Sequence, residues 1–142
     1  MFNIIVGTVI VEDDKVLMVK ETKEDVKGLL NFPAGRLEKD ETLIEGTLRE
    51  IKEETGLNAV ITQFIDMQFF TKKGMDCVAF VFQGKLINDN KNSFNNELEF
   101  DFYDIEYLKS NTNILRNEKL IINALNKINQ GNCDVINIFK LR

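Results

Sequence analysis

Three glutamates, Glu50, Glu53 and Glu54, close a segment that reads Gly35-x5-Glu41-x7-Arg49-Glu50-Ile51-x-Glu53-Glu54-x-Gly56-Leu57. Their spacing is i, i+3 and i+4, which on a helix sets the three carboxylates beside one another. Two of them fall in the last turn, where the helix dipole prefers a cation. Glu54 also borders the apolar side of such a helix, which strips part of its hydration. Like charges gathered this way repel one another unless something positive lies among them. A hard divalent cation meets that need through carboxylate oxygens, and magnesium commonly keeps several waters and takes substrate phosphates as further ligands. The competing reading is a plain solvated face, since glutamate is a good helix former. The dipole and the flanking glycines weigh against it. Gly46, one turn earlier on the same side, is expected to leave room for an approaching group.

The helix that carries these residues is bounded by local signals. Thr42-Leu43-Ile44-Glu45 fits a capping box, with Thr42 as N-cap and Glu45 reaching back to it. Gly56 suits the left-handed position past the helix end, and Leu57 supplies the hydrophobic contact that follows. The spacing predicts a helix over 43–55. Ile44, Leu48, Ile51 and Thr55 share one side, widened by Leu43 and Thr47, and this side is expected to pack on a sheet.

From Gly35 to Leu57 the chain resembles the signature of the Nudix hydrolases at every position. Those enzymes cut the diphosphate linkage of nucleoside diphosphates carrying a further group, with magnesium or manganese. The resemblance implies that Glu50, Glu53 and Glu54 are metal ligands, with the main-chain carbonyl of Gly35 completing the set. It also implies an internal ion pair between Glu41 and Arg49 that fixes the loop against the helix, and a structural role for Gly56. Glu97 and Glu99 precede Phe102-Tyr103 as an acidic loop precedes an aromatic pair in many relatives, which makes Glu97 a candidate fourth ligand or general base, with Glu53 or Glu54 able to serve as base without it. Lys20, Lys27 and Arg36 are candidates to hold a distal phosphate, each against a bland reading as surface charge. Phe32, with Phe69, Phe70 and Phe82, is a candidate to stack on a base, against the commoner use of strand aromatics in a core.

A finer resemblance lies in Lys20-Glu21-Thr22, in Asn31-x-Pro33-Ala34-Gly35-x-Leu37-Glu38-x-Asp40-Glu41-Thr42-Leu43, and in Leu115-Arg116 through Leu120 to Gly131. These look like a bacterial group of Nudix phosphatases. That group removes phosphate from nucleoside di- and triphosphates, thiamine pyrophosphate and its hydroxymethylpyrimidine diphosphate precursor. Arg36 stands where that group commonly has histidine, and Phe102 where it carries tryptophan. Rival readings within the family are a sanitising pyrophosphohydrolase of the 8-oxo-dGTP type and an ADP-ribose or dinucleoside polyphosphate hydrolase. A rival of another class is a nucleotide-sensing Nudix module without catalysis. The partner implied throughout is a small nucleoside or organic diphosphate, bound by a monomer or a homodimer.

Length and composition agree with an enzyme of this kind. A chain of 142 residues is expected to form one domain, spanning 1–142, with a real core. Its formal net charge of −5 argues against a general nucleic-acid or membrane-surface binder. Handling anionic phosphates then requires local positive charge, which a bound metal supplies. The chain has no histidine, which excludes a Ser-His-Asp or Cys-His nucleophile and a His-ligated zinc site. Cys77 and Cys133 lack metal-type spacing, and no disulfide is expected, which fits a reducing cytoplasm. Met1 to Ile5 lacks a basic region and a cleavage site, so neither a signal peptide nor a membrane span is expected there.

The remaining elements must position the motif. Phe2 to Val11 and Val16 to Lys20 read as a hairpin around Glu12-Asp13-Asp14-Lys15. A charged loop covers Glu21 to Gly28, and a short strand runs from Leu29 to Phe32, ended by Pro33. Two long strands are expected at Ala59 to Phe70 and Met75 to Ile87. A polar loop follows from Asn88 to Asn96, then a strand from Glu99 to Tyr103 and a helical turn from Ile105 to Lys109. Arg116 to Asn129 has helical spacing with Gly131 as terminator, and Val135 to Phe139 reads as a last strand or a tail. Strands and helices mix without a βαβ repeat, so a mixed sheet covered by helices is expected. The resemblance sharpens this to the Nudix α/β/α sandwich with a loop-helix-loop catalytic motif.

Overall fold

A computed structural model describes residues 2–88 and 96–140. Among these residues seven strands form one mixed sheet: β1 (Phe2–Glu12), β2 (Lys15–Lys20), β3 (Leu30–Asn31), β4 (Ala34–Arg36), β5 (Ala59–Lys72), β6 (Met75–Leu86) and β7 (Phe100–Asp104). The main path runs β3-β2-β1-β6-β5, with β4 paired to β1 and β7 to β2. Only the pairing of β1 with β6 is parallel among those described, so these two strands are placed side by side by their neighbours rather than by a tight turn. Helices α1 (Leu43–Thr55), α2 (Ile105–Ser110) and α3 (Glu118–Leu125) complete the fold.

Strand alternation builds the two layers on either side. On β1 and β2, Val9, Val16 and Met18 turn to one side and pack with Leu108 of α2 and Ile121, Ala124 and Leu125 of α3. Ile10, Leu17 and Val19 turn to the other and meet Ile51 of α1. These are the two faces that a period of two demands from a strand buried on both sides. Each large apolar side chain fully removed from water contributes about 2 kcal/mol. Among the described residues no helix is long and apolar enough to cross a membrane. Cys77 is buried in β6 and Cys133 is exposed, and both are free thiols.

Helix α1 has the predicted limits because its caps are local. Thr42 accepts from the Glu45 N–H at 3.0 Å, Glu45 accepts from the Thr42 N–H at 2.9 Å, and Gly56 takes φ 74°. Ile44, Thr47, Ile51 and Thr55 are buried on the predicted side.

Elsewhere the structure departs from the sequence reading. Ala34 to Arg36, expected as loop, is a strand whose Val6↔Gly35 register ties the motif to β1. The helix expected over 116–129 is shorter. Asn117 caps it, and beyond Leu125 the buried Gln83 of β6 captures the chain, accepting from the Asn129 N–H at 2.8 Å and donating to Asn129 Oδ1 at 2.8 Å. Asn129 takes φ 64° there, so the helix ends before Gly131. Gly131 instead lies against β5, where a Cβ would meet Phe64 O at 2.4 Å. Residues 135–139 form no strand. Ile136 is buried with Ile44 and Phe82, and Phe139 packs on Phe64, Phe80 and Phe82, so the segment closes the α1 side of the same sheet. Of the polar loop expected over 88–96, residues 89–95 lie outside the described residues.

Candidate active site at the end of helix α1

The motif glutamates gather where the last turn of α1 meets β4. Glu50 lies against the backbone of Gly35 so closely that a Cβ there would stand 2.3 Å from its carboxyl carbon. Only glycine admits the carboxylate at this place. Glu54 accepts from the Ala34 N–H at 3.0 Å, which ties the same turn to the same strand. The lead-in to β7 docks on this turn as well. The N–H groups of Glu97 and Leu98 donate to the carbonyls of Glu53 and Glu54, each at 3.1 Å. Carbonyls of a last helical turn have no partner within the helix. Here they hold Glu97 beside the cluster.

Arg49 knits the loop to the helix. Its Nε donates to Glu41 Oε2 at 2.5 Å and its Nη2 to Glu41 Oε1 at 2.9 Å, a bidentate pair. Its Nη1 donates to Glu50 Oε1 at 2.7 Å and to Glu53 Oε2 at 3.3 Å, and Nη2 reaches the Arg36 carbonyl at 3.0 Å. Glu41 also accepts from the Glu38 N–H at 2.7 Å. Gly46 serves this knot rather than an incoming ligand: a Cβ there would meet Leu37 Cδ1 at 2.8 Å and Glu41 Oε1 at 3.1 Å. The space expected for a substrate is filled by the loop itself.

The proton affinities follow from burial and company. Burial pushes the Glu54 carboxyl up to about 8, against the Ala34 hydrogen bond and with help from the charges of Glu50, Glu21 and Glu97. Burial also raises Glu50, partly offset by Arg49 and reinforced by Glu53 and Glu97. Glu41 is held below the ordinary carboxylate range by its bond from Arg49. Arg49 is correspondingly locked in its charged form. Partly buried acids whose ionised form is disfavoured are a common mark of a functional site.

A cleft of about 840 Å³ opens beside this cluster. Its floor is one face of the sheet, with Asn3 and Ile5 of β1 paired to Cys77 and Ala79 of β6. Glu54, Glu97, Ala34, Gly35 and Arg36 form an acidic wall. Lys23, Lys72, Lys73 and Arg116 form a basic wall, with Glu21 between the two. Of the cationic candidates from sequence, Arg36 lines the cleft. Lys20, paired with Glu99 at 3.3 Å, and the exposed Lys27 do not. Phe32 borders the cleft but is 1% exposed and packs in the core, as does Phe82. Phe70 lines the cleft, whereas Phe69 is 67% exposed on the opposite face of the strand.

Glu21, Lys72 and Arg116 were not singled out as site residues from sequence. Glu21 and Arg116 belong to the stretches that carry the finer resemblance, which was the available signal. Arg116 bonds Glu21, both side chains being largely buried, and its N–H donates to the Leu30 carbonyl at 2.9 Å.

The carboxylates and the Gly35 backbone offer only oxygen donors, the set a hard divalent cation takes. Among the described residues no three acidic side chains stand ready-gathered around one point. Arg49 occupies one oxygen each of Glu50 and Glu53, and Glu54 spends one on Ala34. The oxygen donors and the glycine cradle suit a cation by chemistry, while Arg49 and the Ala34 N–H hold the carboxylates as they stand.

The NUDIX domain family matches residues 1–122. The chain is 32% identical over 96 residues to the mouse (Mus musculus) protein called 8-oxo-dGDP phosphatase NUDT18, covering 65% of this chain and 29% of that one. It is 46% identical over 65 residues to Phosphatase NudJ of Escherichia coli K12, covering 46% of this chain and 42% of that one. The matched stretches cover less than half the length of either relative. A NUDIX hydrolase from Nitrosomonas europaea superposes with a TM-score of 0.82 at 25% identity, covering 92% of this chain and 90% of that one.

Proposed function

We propose that this chain, which belongs to the Nudix family, hydrolyses phosphoanhydride bonds of nucleoside di- and triphosphates or of a related diphosphate such as thiamine pyrophosphate. The observation that carries the reading is the seating of Glu50 on the Gly35 backbone beside Glu54 and Glu97 at the mouth of a cleft. The names of the mouse and Escherichia coli relatives favour a phosphatase that releases orthophosphate over a pyrophosphohydrolase.

Family members generally use divalent metal ions. Magnesium or manganese would be held here by Glu50, Glu53, Glu54 and the Gly35 carbonyl. When bound, it supplies charge neutralisation at the phosphate oxygens and a lower pKa for the attacking water. The chain's own groups do the rest. Arg49 and Glu41 keep the glutamates in place, as partners behind a ligand set do in metal sites generally. The Ala34 N–H orients Glu54. Either Glu54 or Glu97 accepts the proton of the attacking water. Both face the cleft, within reach of a bound substrate. On the sheet side the cleft is lined by the apolar Ile5, Ala79 and Val81. Free thiols at Cys77 and Cys133 suit a cytoplasmic setting.

The test is hydrolysis with magnesium or manganese against nucleoside di- and triphosphates, ADP-ribose and thiamine pyrophosphate, with products separated. Orthophosphate as the direct product supports the proposal. Pyrophosphate with a nucleoside monophosphate moves the chain to the sanitising pyrophosphohydrolases. Tight binding with no turnover would make it a nucleotide-sensing module.

A further inference from the structure

The basic wall of the cleft stands apart from the overall character of the molecule. The chain carries a net charge of −5, yet four cations, Lys23, Lys72, Lys73 and Arg116, line one side of a single cleft. They come from three separate places: the segment after β2, the end of β5 with its turn, and the lead-in to α3. Arg116 shares its charge with Glu21, and Lys73 stands 3.8 Å from Asp25 in an exposed pair. Among the described residues Lys23 and Lys72 have no carboxylate within 4.0 Å. On this wall Arg116 and Lys73 are paired, and Lys23 and Lys72 are left over.

Lys72 registers the imbalance. Some loss of hydration at the otherwise exposed ammonium, and then the charges of Arg116, Lys23 and Lys73, lower its proton affinity, with Glu21 acting the other way. The acidic wall needs a cation, and the basic wall equally needs an anion. Arg116 is the fixed member, its side chain only 17% exposed and its backbone bonded to β3. A guanidinium so held suits a planar or multidentate oxyanion, and Lys72 adds a mobile point charge.

On the hydrolase reading above, we propose that Lys72, Arg116 and Lys23 form an anion subsite that takes the terminal phosphate of a nucleoside di- or triphosphate. Only a terminal phosphate offers two negative charges on one small group. An internal diphosphate has none to place there. Glu21, between the walls, limits the subsite. Its charge acts on both Glu54 and Lys72, and it repels an anion that strays from Arg116.

Lys72→Met is the deciding variant, because Lys72 is exposed and its loss leaves the Arg116–Glu21 pair intact. Inorganic tripolyphosphate, titrated by calorimetry in the presence of EDTA, reads the subsite without metal or turnover. It should bind the variant about tenfold more weakly than the wild type, the loss of one charged hydrogen bond. In turnover, KM for a nucleoside triphosphate should rise by a similar factor with kcat within about twofold. The apparent affinity for ADP-ribose, whose diphosphate is internal, should not move. Equal tripolyphosphate affinity in the two proteins, or an equal loss for ADP-ribose, overturns the subsite. A wild type that turns over no substrate yet loses tripolyphosphate on Lys72→Met retains the subsite and refutes only the hydrolase reading. Arg116→Lys should recover most of what Arg116→Met loses in tripolyphosphate affinity; no recovery with both variants folded would take Arg116 out of the subsite.

Discussion

Arg49 and Arg116 are both largely buried arginines among glutamates, and they do opposite things. Arg49 meets Glu38, Glu41, Glu50 and Glu53, so its charge is more than cancelled. It has none to offer a ligand and works as a brace. Among the described residues Arg116 meets the carboxylate of Glu21 alone, and it has Lys72 and Lys23 for company. Its surroundings keep a positive surplus. An arginine's role follows from the count of carboxylates around it, because a guanidinium stays charged in either setting.

The sharpest way to break this contrast is to remove carboxylates of the motif cluster, Glu53, which Arg49 bonds, and Glu54, which the Ala34 N–H holds. Glu53→Gln and Glu54→Gln should each lower kcat by about a thousandfold under magnesium, with circular dichroism unchanged, since ligand carboxylates carry the metal's contribution. Wild-type rates in either would remove the acidic wall from the chemistry. Next in size is Gly35→Ala. The added methyl would fall on the Glu50 carboxyl, and the displaced side chain should cost roughly ten- to a hundredfold in kcat. Full activity in folded Gly35→Ala would mean that Glu50 has no need of its seat on β4.

A smaller effect lies in stability against pH. Glu54 binds its proton up to about 8 in the metal-free fold, above its ordinary 4.5. The folded state therefore holds more protons than the unfolded chain between those values, and stability falls as pH rises through that window. Glu50, also raised by burial, acts in the same direction. Glu41 acts oppositely. Its lowered value stabilises the fold above the ordinary carboxylate range, and that share is lost on acidification. In EDTA, the Tm of the wild type should drop from pH 5 to pH 8. Glu54→Gln should flatten the slope and melt at least about 2 °C higher at pH 8. A wild-type Tm that climbs across that interval would show that Glu54 is ionised throughout.

The contrast between the two arginines also marks what a linear reading can reach. Arg49 lies eight residues from Glu41 and one from Glu50, within a helix whose caps at Thr42 and Gly56 are local chemistry. Local geometry of that kind is visible in spacing. Arg116 and Glu21 are 95 residues apart and meet only because β2, β3 and the lead-in to α3 assemble on one edge. Spacing carries no trace of that. The shortfall in α3 has the same origin, since its end is set by Gln83 from another strand. Gly46 departs from expectation for a related reason: its free space on the helix is taken by Leu37 and Glu41 from the preceding loop. Patterns within one element were legible, and contacts between elements were not.

The smallest predicted effect is the control on which the contrast depends. Lys20→Met removes a lysine one position from Glu21, in a chain where every lysine changes the net charge equally. If substrate phosphate responds only to the overall field, losing Lys20 should cost as much as losing Lys72. The structure places Lys20 at the end of β2, paired with Glu99 at 3.3 Å and outside the lining of the cleft. Exposed pairs of that kind contribute at most about 1 kcal/mol and are screened by salt. KM for a nucleoside triphosphate should therefore stay within about twofold of the wild type at 0.15 M salt. An increase matching that of Lys72→Met would show that the basic wall acts as diffuse charge rather than as a shaped site, and Arg116 would then differ from Arg49 only in surplus.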